Sequence, residues 1–230
     1  MRAEEKMLEN RKRLTIALVL NLLISLFELY AVFMNFIVGK THFDFVQLQF
    51  YTHLSNIFML ISSLAATMEI TKELCGAVKR THMAVRILNY MAVCSLTLTL
   101  LVVVCVLAPM EGKEGAKFLL FGRTNIFEHI ICPVLAFVTF VFFGDFCDIG
   151  SRGAVIAVVP TLVYALVMAL LNALGVVDGP YPFLRVREQG ILPSVGWFMI
   201  IIGAALGIAE LLLWLTRRYN VSRKILKSKI

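Results

Sequence analysis

Six long apolar runs, separated by short polar or Gly/Pro-bearing connectors, set the pattern of this chain. They cover roughly residues 14–38, 50–70, 84–108, 124–146, 154–177 and 192–215. Each is close to the ~20 residues that a helix needs to cross a ~30 Å hydrocarbon layer. No water meets the backbone in that layer, so each run must pair its own N–H and C=O groups as a helix. The pattern therefore predicts an all-α, polytopic membrane protein, a bundle of six transmembrane helices. Helices and connectors use nearly all of the 230 residues, which gives one membrane domain, 1–230. The first run is longer than the apolar core of a signal peptide, and no small-residue cleavage site follows it. The first helix is therefore expected to be retained.

Composition points the same way. The chain is 60% hydrophobic and 16% charged, against about 25% charged residues in soluble domains. Its 22 Lys and Arg residues divide unevenly between the two sides of the six-helix arrangement. Sixteen fall on the side of the N-terminus, the second connector, Arg152 and the C-terminal tail. Six fall on the other: Lys40, Lys113, Lys117, Arg123, Arg185 and Arg187. The positive-inside rule then places both termini in the cytoplasm. The net charge of +7 calls for no nucleic-acid partner, because basic tails beside a bilayer meet anionic headgroups. Membrane lipids are the expected partners. The five cysteines, Cys75, Cys94, Cys105, Cys132 and Cys147, form no CxxC pair, so neither a disulfide framework nor a zinc site is expected.

Polar groups are costly inside hydrocarbon, so those that interrupt the apolar runs carry information. The second helix opens Tyr51-Thr52-His53-Leu54-Ser55-Asn56. Thr52, Ser55 and Asn56 stand at i, i+3 and i+4 and share a face. The fourth opens Thr124-Asn125-Ile126-Phe127-Glu128-His129 and reaches Pro133 a turn later. Asn125, His129 and Cys132 share a face there. At 1.5 Å per residue, Thr52 and His129 lie ~3 and ~7 Å below their helix starts, at similar depth in the outer leaflet. A neutral imidazole can take a hydroxyl's proton as the oxygen attacks a carbonyl, then return it to the leaving alcohol. Asn56, Asn125 or backbone N–H groups could steady the oxyanion. Thr, Ser and Asn in membrane helices also hydrogen-bond to neighbouring helices, and that reading stands beside the catalytic one. Glu128 lies ~100° round an ideal helix from His129, a poor position for an orienting partner.

Glu28, mid-way along the first helix, and Glu210, in the sixth, are expected to pair or stay protonated inside the bundle, or to line a proton or ion path. Gly203 and Gly207 form a GxxxG step that permits close helix packing. The loop Asp178-Gly179-Pro180-Tyr181-Pro182-Phe183-Leu184-Arg185 falls on the side of Thr52 and His129. It can anchor at the headgroup level or form a rim over an outer-leaflet pocket.

At these residues the chain resembles a known family. Tyr51-Thr52-His53-Leu54-Ser55-Asn56 resembles the FT-x-x-SN motif that opens helix two of bacterial Pr6Pr-type membrane proteins. His129 with Pro133 resembles their His-x-x-x-Pro motif, and Tyr181-Pro182-Phe183-Leu184 their Tyr-Pro-Phe-Leu loop. These proteins are distantly similar to the androgen-induced protein 1 family of multi-pass threonine hydrolases, which act on fatty-acid esters of hydroxy fatty acids. The resemblance implies a catalytic threonine at Thr52, a catalytic histidine at His129, an acyl-ester substrate, no metal or organic cofactor, and a bacterial cell membrane as location. Arg185 departs from the bacterial pattern, which has an acidic residue after Phe-Leu, and would favour an anionic group in the substrate. Ser55, Asn56, Asn125, Glu28, Tyr181 and Arg185 are the supporting candidates. The alternative is a transporter or binder of a small or lipid-like solute, with Glu28, Glu210 and His129 lining a polar cavity.

Overall fold

The structure, a computed structural model, describes residues 2–38, 42–144, 149–150 and 152–228. Lys40, Cys147 and Lys229 lie outside the described residues. The described chain is helical throughout, joined by turns. Helix α1 is Arg2–Phe36, α2 is Tyr51–Leu74, and α3 is Met83–Val102. A π-helical turn, Val103–Leu107, and a short turn, Ala108–Met110, continue α3. Helix α4, Gly112–Phe121, falls where the sequence pattern predicts only a connector. Helix α5, Phe127–Phe143, is a composite: π over Phe127–Ile131, α over Cys132–Val138, π again over Thr139–Phe143. Helices α6, Arg152–Ala173, and α7, Ile191–Ser228, complete the chain.

Among the described residues five stretches are long and apolar enough to cross a membrane: Met7–Phe36, Tyr51–Leu74, Met83–Met110, Arg152–Ala173 and Ile191–Arg223. Phe127–Phe143 is a further apolar helix but shorter. Half of the apolar window of α3 is buried, against 28% for α7, which makes α3 the central helix. It packs on α2, α5, α6 and α7, while α1 covers α2 and α5 from outside. Small side chains set the closest approaches. Ala92, Ala136, Ala157, Ala205 and Ala209 are all fully enclosed. Tyr90 Oη donates to Ala209 O at 2.8 Å, and its ring stacks on Phe140, which ties α3 to α7 and α5.

That pairing revises the expected packing face of α7. Ala205 and Ala209 make the close approach, whereas a Cβ built on Gly203 or Gly207 would meet nothing within 4 Å. Two residues along a helix is a rotation of ~200°, so the two small-residue pairs face opposite ways. Glu210 shares the outward side and is exposed, not inside the bundle as the sequence suggests.

Two of the π turns run directly into a proline. Pro133 has no N–H for the carbonyl of His129, and its ring crowds that carbonyl. The backbone widens over Phe127–Ile131, just before it. Pro109 follows Val103–Leu107 in the same way. Such single-turn insertions redirect side chains that an α-helix would space regularly. They turn both Glu128 and His129 inward.

The bundle has two distinct ends. Arg223 Nε lies 4.0 Å from Glu9 Oε1, and Arg13 Nη2 donates to Gly144 O at 3.0 Å. The start of α1 and the ends of α5 and α7 thus meet at one end, called here the basic end. Thr52, His129 and the Tyr181 loop lie at the other.

Candidate functional site

Thr52 occupies the first turn of α2, where a helix's leading N–H groups have no intrahelical acceptor. Its N–H donates to Tyr181 Oη at 3.3 Å, and the same hydroxyl lies 3.4 Å from Thr52 Oγ1. The loop after α6 therefore folds onto the start of α2. Asn172 pins that loop from both sides, donating to Val177 O at 2.9 Å and accepting the Arg187 N–H at 3.2 Å. Tyr181 stacks on Phe183 with ring centroids 5.2 Å apart and meets Phe50 edge-on at 6.2 Å. Burial raises the Tyr181 phenol above its ordinary range, while its hydrogen bonds to Thr52 lower it. It remains a protonated hydroxyl at neutral pH.

Thr52 and Tyr181 border a cavity of about 70 Å³ between α2, α3, α6, α7 and the loop. Leu98, Val102, Leu107, Ala165, Leu184 and Trp197 supply much of its wall. Its hydroxyl-bearing walls are partly satisfied already. Tyr51 Oη is 2.6 Å from Thr161 Oγ1, and Tyr164 Oη donates to Gln49 O at 2.7 Å. What is left is a greasy chamber with a threonine hydroxyl at its edge. The positive end of the α2 dipole also points there and favours a developing negative charge.

His129 is reached from the other side of α2. Its Nδ1 lies 2.6 Å from Leu119 O. A carbonyl only accepts, so Nδ1 carries the hydrogen and Nε2 of the neutral ring is an acceptor. Leu119 lies in the last turn of α4, where carbonyls lack intrahelical donors. Asn125 Nδ2 donates to Phe118 O at 3.0 Å, beside the Gly122 N–H that the same carbonyl accepts at 2.7 Å. The first turn of α5 thus caps the end of α4, and in return α4 fixes the tautomer of His129.

Thr52 and His129 are not hydrogen-bonded to each other; one amide connects their segments. Asn56 Nδ2 donates to Thr52 O at 2.7 Å and to Glu128 O at 3.4 Å. Both of its N–H groups are committed to this bridge, which leaves none for an oxyanion. Ser55 Oγ donates to Thr52 O at 2.9 Å and lies 2.8 Å from Thr99 Oγ1, tying α2 to α3. Asn125 is turned to α4. Arg185 lies on the loop's outside, 3.5 Å from Glu188 and 3.4 Å from Gly179 O, and does not line the cavity.

Glu128 is the residue that sequence reasoning undervalued. Its Oε1 lies 2.7 Å from His53 Nδ1, and its Oε2 accepts from Asn35 Nδ2 at 2.7 Å. Thr124 Oγ1 donates to Asn35 Oδ1 at 2.9 Å. This chain of four side chains binds α1, α2 and α5 together beside Thr52. An acid in an otherwise apolar helix was the available signal. The ideal-helix angle hid it, because the π turn changes which way residue 128 points.

Glu28 sits fully enclosed at the bundle centre. Neither carboxyl oxygen has an N–H or O–H partner among the described residues, and the Cys132 thiol is its polar neighbour. Glu28 and Glu210 do not share a cavity. No protein family, curated protein or solved structure matches this chain.

Proposed function

We propose that this protein is a membrane-embedded hydrolase of fatty-acid esters, with Thr52 as nucleophile and His129 as general base. The observation that carries the reading is Thr52 itself: a buried hydroxyl at a helix N-terminus, opening on a largely apolar cavity. An ester whose acyl chain fills that cavity would bring its carbonyl to Thr52. The carbonyl oxygen takes the place of the Tyr181 hydroxyl at the Thr52 N–H. His129 Nε2, which does not touch Thr52 in the structure, takes the Thr52 proton through a bridging water as Oγ1 bonds to the carbonyl carbon. The bond to the alcohol oxygen then breaks, and that oxygen leaves with the proton from Nε2. Water repeats the sequence on the acyl-threonine and releases the fatty acid. The α2 dipole and its leading N–H groups stabilise the oxyanion, a task for which Asn56 has no spare donor.

We further infer that α5 spans the bilayer as a sixth segment and that the basic end faces the cytoplasm, as the sixteen-to-six charge division favours. Chemistry then takes place in the outer leaflet. Labelling with a fluorophosphonate probe tests the nucleophile. Wild type is expected to label and to cleave a fatty-acid ester, and Thr52→Ala to do neither. Equal labelling of the two would remove Thr52 from the role.

A further inference from the structure

The Thr52 chamber is too small for a long acyl chain. A water takes up ~30 Å³ of liquid, so a chamber of about 70 Å³ holds a few atoms of a chain and no more. Sites that enclose a drug-sized ligand run to ~300–1,000 Å³. A space of that size lies beside it. Helices α2 and α6 both pack on α3, and a groove of about 450 Å³ runs between them. Leu54 and Phe58 of α2 face Met168 and Leu171 of α6 across it. Val163 and Val167 of α6 also line it and are exposed, so the groove is open along the outer flank of the bundle, where lipid chains run.

Two tyrosines separate groove from chamber, and each lines both. They bridge the gap in opposite directions. Tyr51 of α2 places its hydroxyl 2.6 Å from Thr161 Oγ1 of α6. Tyr164 of α6 donates to Gln49 O, in the turn before α2, at 2.7 Å. The two ring centroids are 5.0 Å apart. Pro160, inside α6 and on the groove wall, removes one helix hydrogen bond a turn before Tyr164, where α6 can hinge. The chamber's other closure is heavier. Tyr181, Phe183 and Trp197 stand in series there, with centroids 5.2 and 5.7 Å apart, on a loop that Asn172 pins from both sides. The tyrosine partition is the easier one to open.

We propose that the groove is the membrane-side entrance to the Thr52 chamber, that Tyr51 and Tyr164 are its gate, and that its occupant is a single long acyl chain of a bilayer-borne lipid. The rings part, the carbonyl end of the chain passes into the chamber, and the tail stays in the groove. The substrate class is thereby a long-chain ester dissolved in the membrane, not a water-soluble one. The inference rests on the hydrolase reading for what happens at Thr52, and not for the route.

Trp197 on the chamber wall reports entry, in protein whose other tryptophan is removed by Trp214→Phe. The protein is placed in phosphatidylcholine nanodiscs and titrated with a long-chain N-methyl amide dibrominated close to its carbonyl end. Bromine quenches tryptophan on contact, and the amide resists hydrolysis. Saturable quenching is expected. Val163→Phe with Val167→Phe fills the groove from two exposed positions, where larger apolar side chains leave the packing intact, and is expected to weaken binding by about tenfold or more. Val159→Phe, exposed on α6 but outside the groove, leaves it unchanged. Tyr51→Phe with Tyr164→Phe frees the gate and is expected to speed the onset of quenching by about fivefold or more, the equivalent of at least one hydrogen bond lost. Fluorophosphonate labelling of Thr52 is followed in parallel. Groove-dependent quenching without labelling keeps the entrance and removes the hydrolase reading. Quenching that is absent, unsaturable or equal in the groove-filled variant overturns the entrance, whatever Thr52 does. A tyrosine variant with wild-type onset removes the gate, and the groove-filled variant decides the entrance if the tyrosine variant fails to fold.

Discussion

Tyr181 and Glu128 each do something at Thr52 that their neighbours cannot. The Tyr181 hydroxyl caps a helix N–H that would otherwise be buried without a partner. Tyr181→Phe keeps the ring stacking and removes only that oxygen. It is expected to lower stability by about 1 kcal/mol while Thr52 still labels with the probe. A thermal unfolding curve beside a labelling gel checks both. Glu128 holds His53 and Asn35 in a nearly dry setting. Removing one member of a buried pair strands the other, at a cost of roughly 3–5 kcal/mol. Glu128→Ala should therefore destabilise strongly, and Glu128→Ala with His53→Ala by less than the sum of the two. A double-mutant cycle on unfolding midpoints reads that coupling; strict additivity would mean the contact contributes nothing.

Helix α4 shows how a connector can act on the site. Its Phe118 and Phe121 side chains are both about 60% exposed, and its last carbonyls hold Asn125 and His129. Exposed aromatics next to Lys113 and Lys117 suit a helix lying at the membrane surface. Replacing both phenylalanines by serine is expected to leave folding in detergent unchanged. Hydrolysis of a bilayer-borne ester should fall more than that of a short soluble ester, as the ratio of the two rates would report. An equal fall in both would place the effect in the His129 geometry instead. The composite α5 carries the related lesson. Its two changes of helical pitch let one short rod present Glu128 to α1 and α2, and His129 to α4.

For the molecule as a whole, the up-and-down path brings α1, α5 and α7 together at the basic end and leaves an apolar chamber at the other. Orientation decides which leaflet each end serves. With Cys75 as the sole cysteine, an impermeant maleimide should label only permeabilised cells, since Cys75 is exposed near the basic end. With Lys117→Cys as the sole cysteine, intact cells should label. The reverse result would move the Thr52 chamber to the cytoplasmic leaflet.

The apolar runs were readable because crossing a bilayer constrains length and composition locally. A helix of ~20 apolar residues needs no partner to be recognised. That rule marks six runs; among the described residues five helices meet it and Phe127–Phe143 is shorter, while alternation of sides puts the Thr52 turn and the Tyr181 loop at one end without bringing them into contact. Rotation about each helix axis was not readable. Packing sets it, and hydrophobicity alone does not distinguish a lipid-facing side from a bundle-facing one. Hence Ala205 and Ala209 took the close contact expected of Gly203 and Gly207, and Glu210 turned outward while Glu28 stayed enclosed. Hydrogen-bond partners were beyond local pattern for the same reason. His53 met Glu128, and His129 met a backbone carbonyl of α4, because a π turn before Pro133 reset the angles from which both are presented.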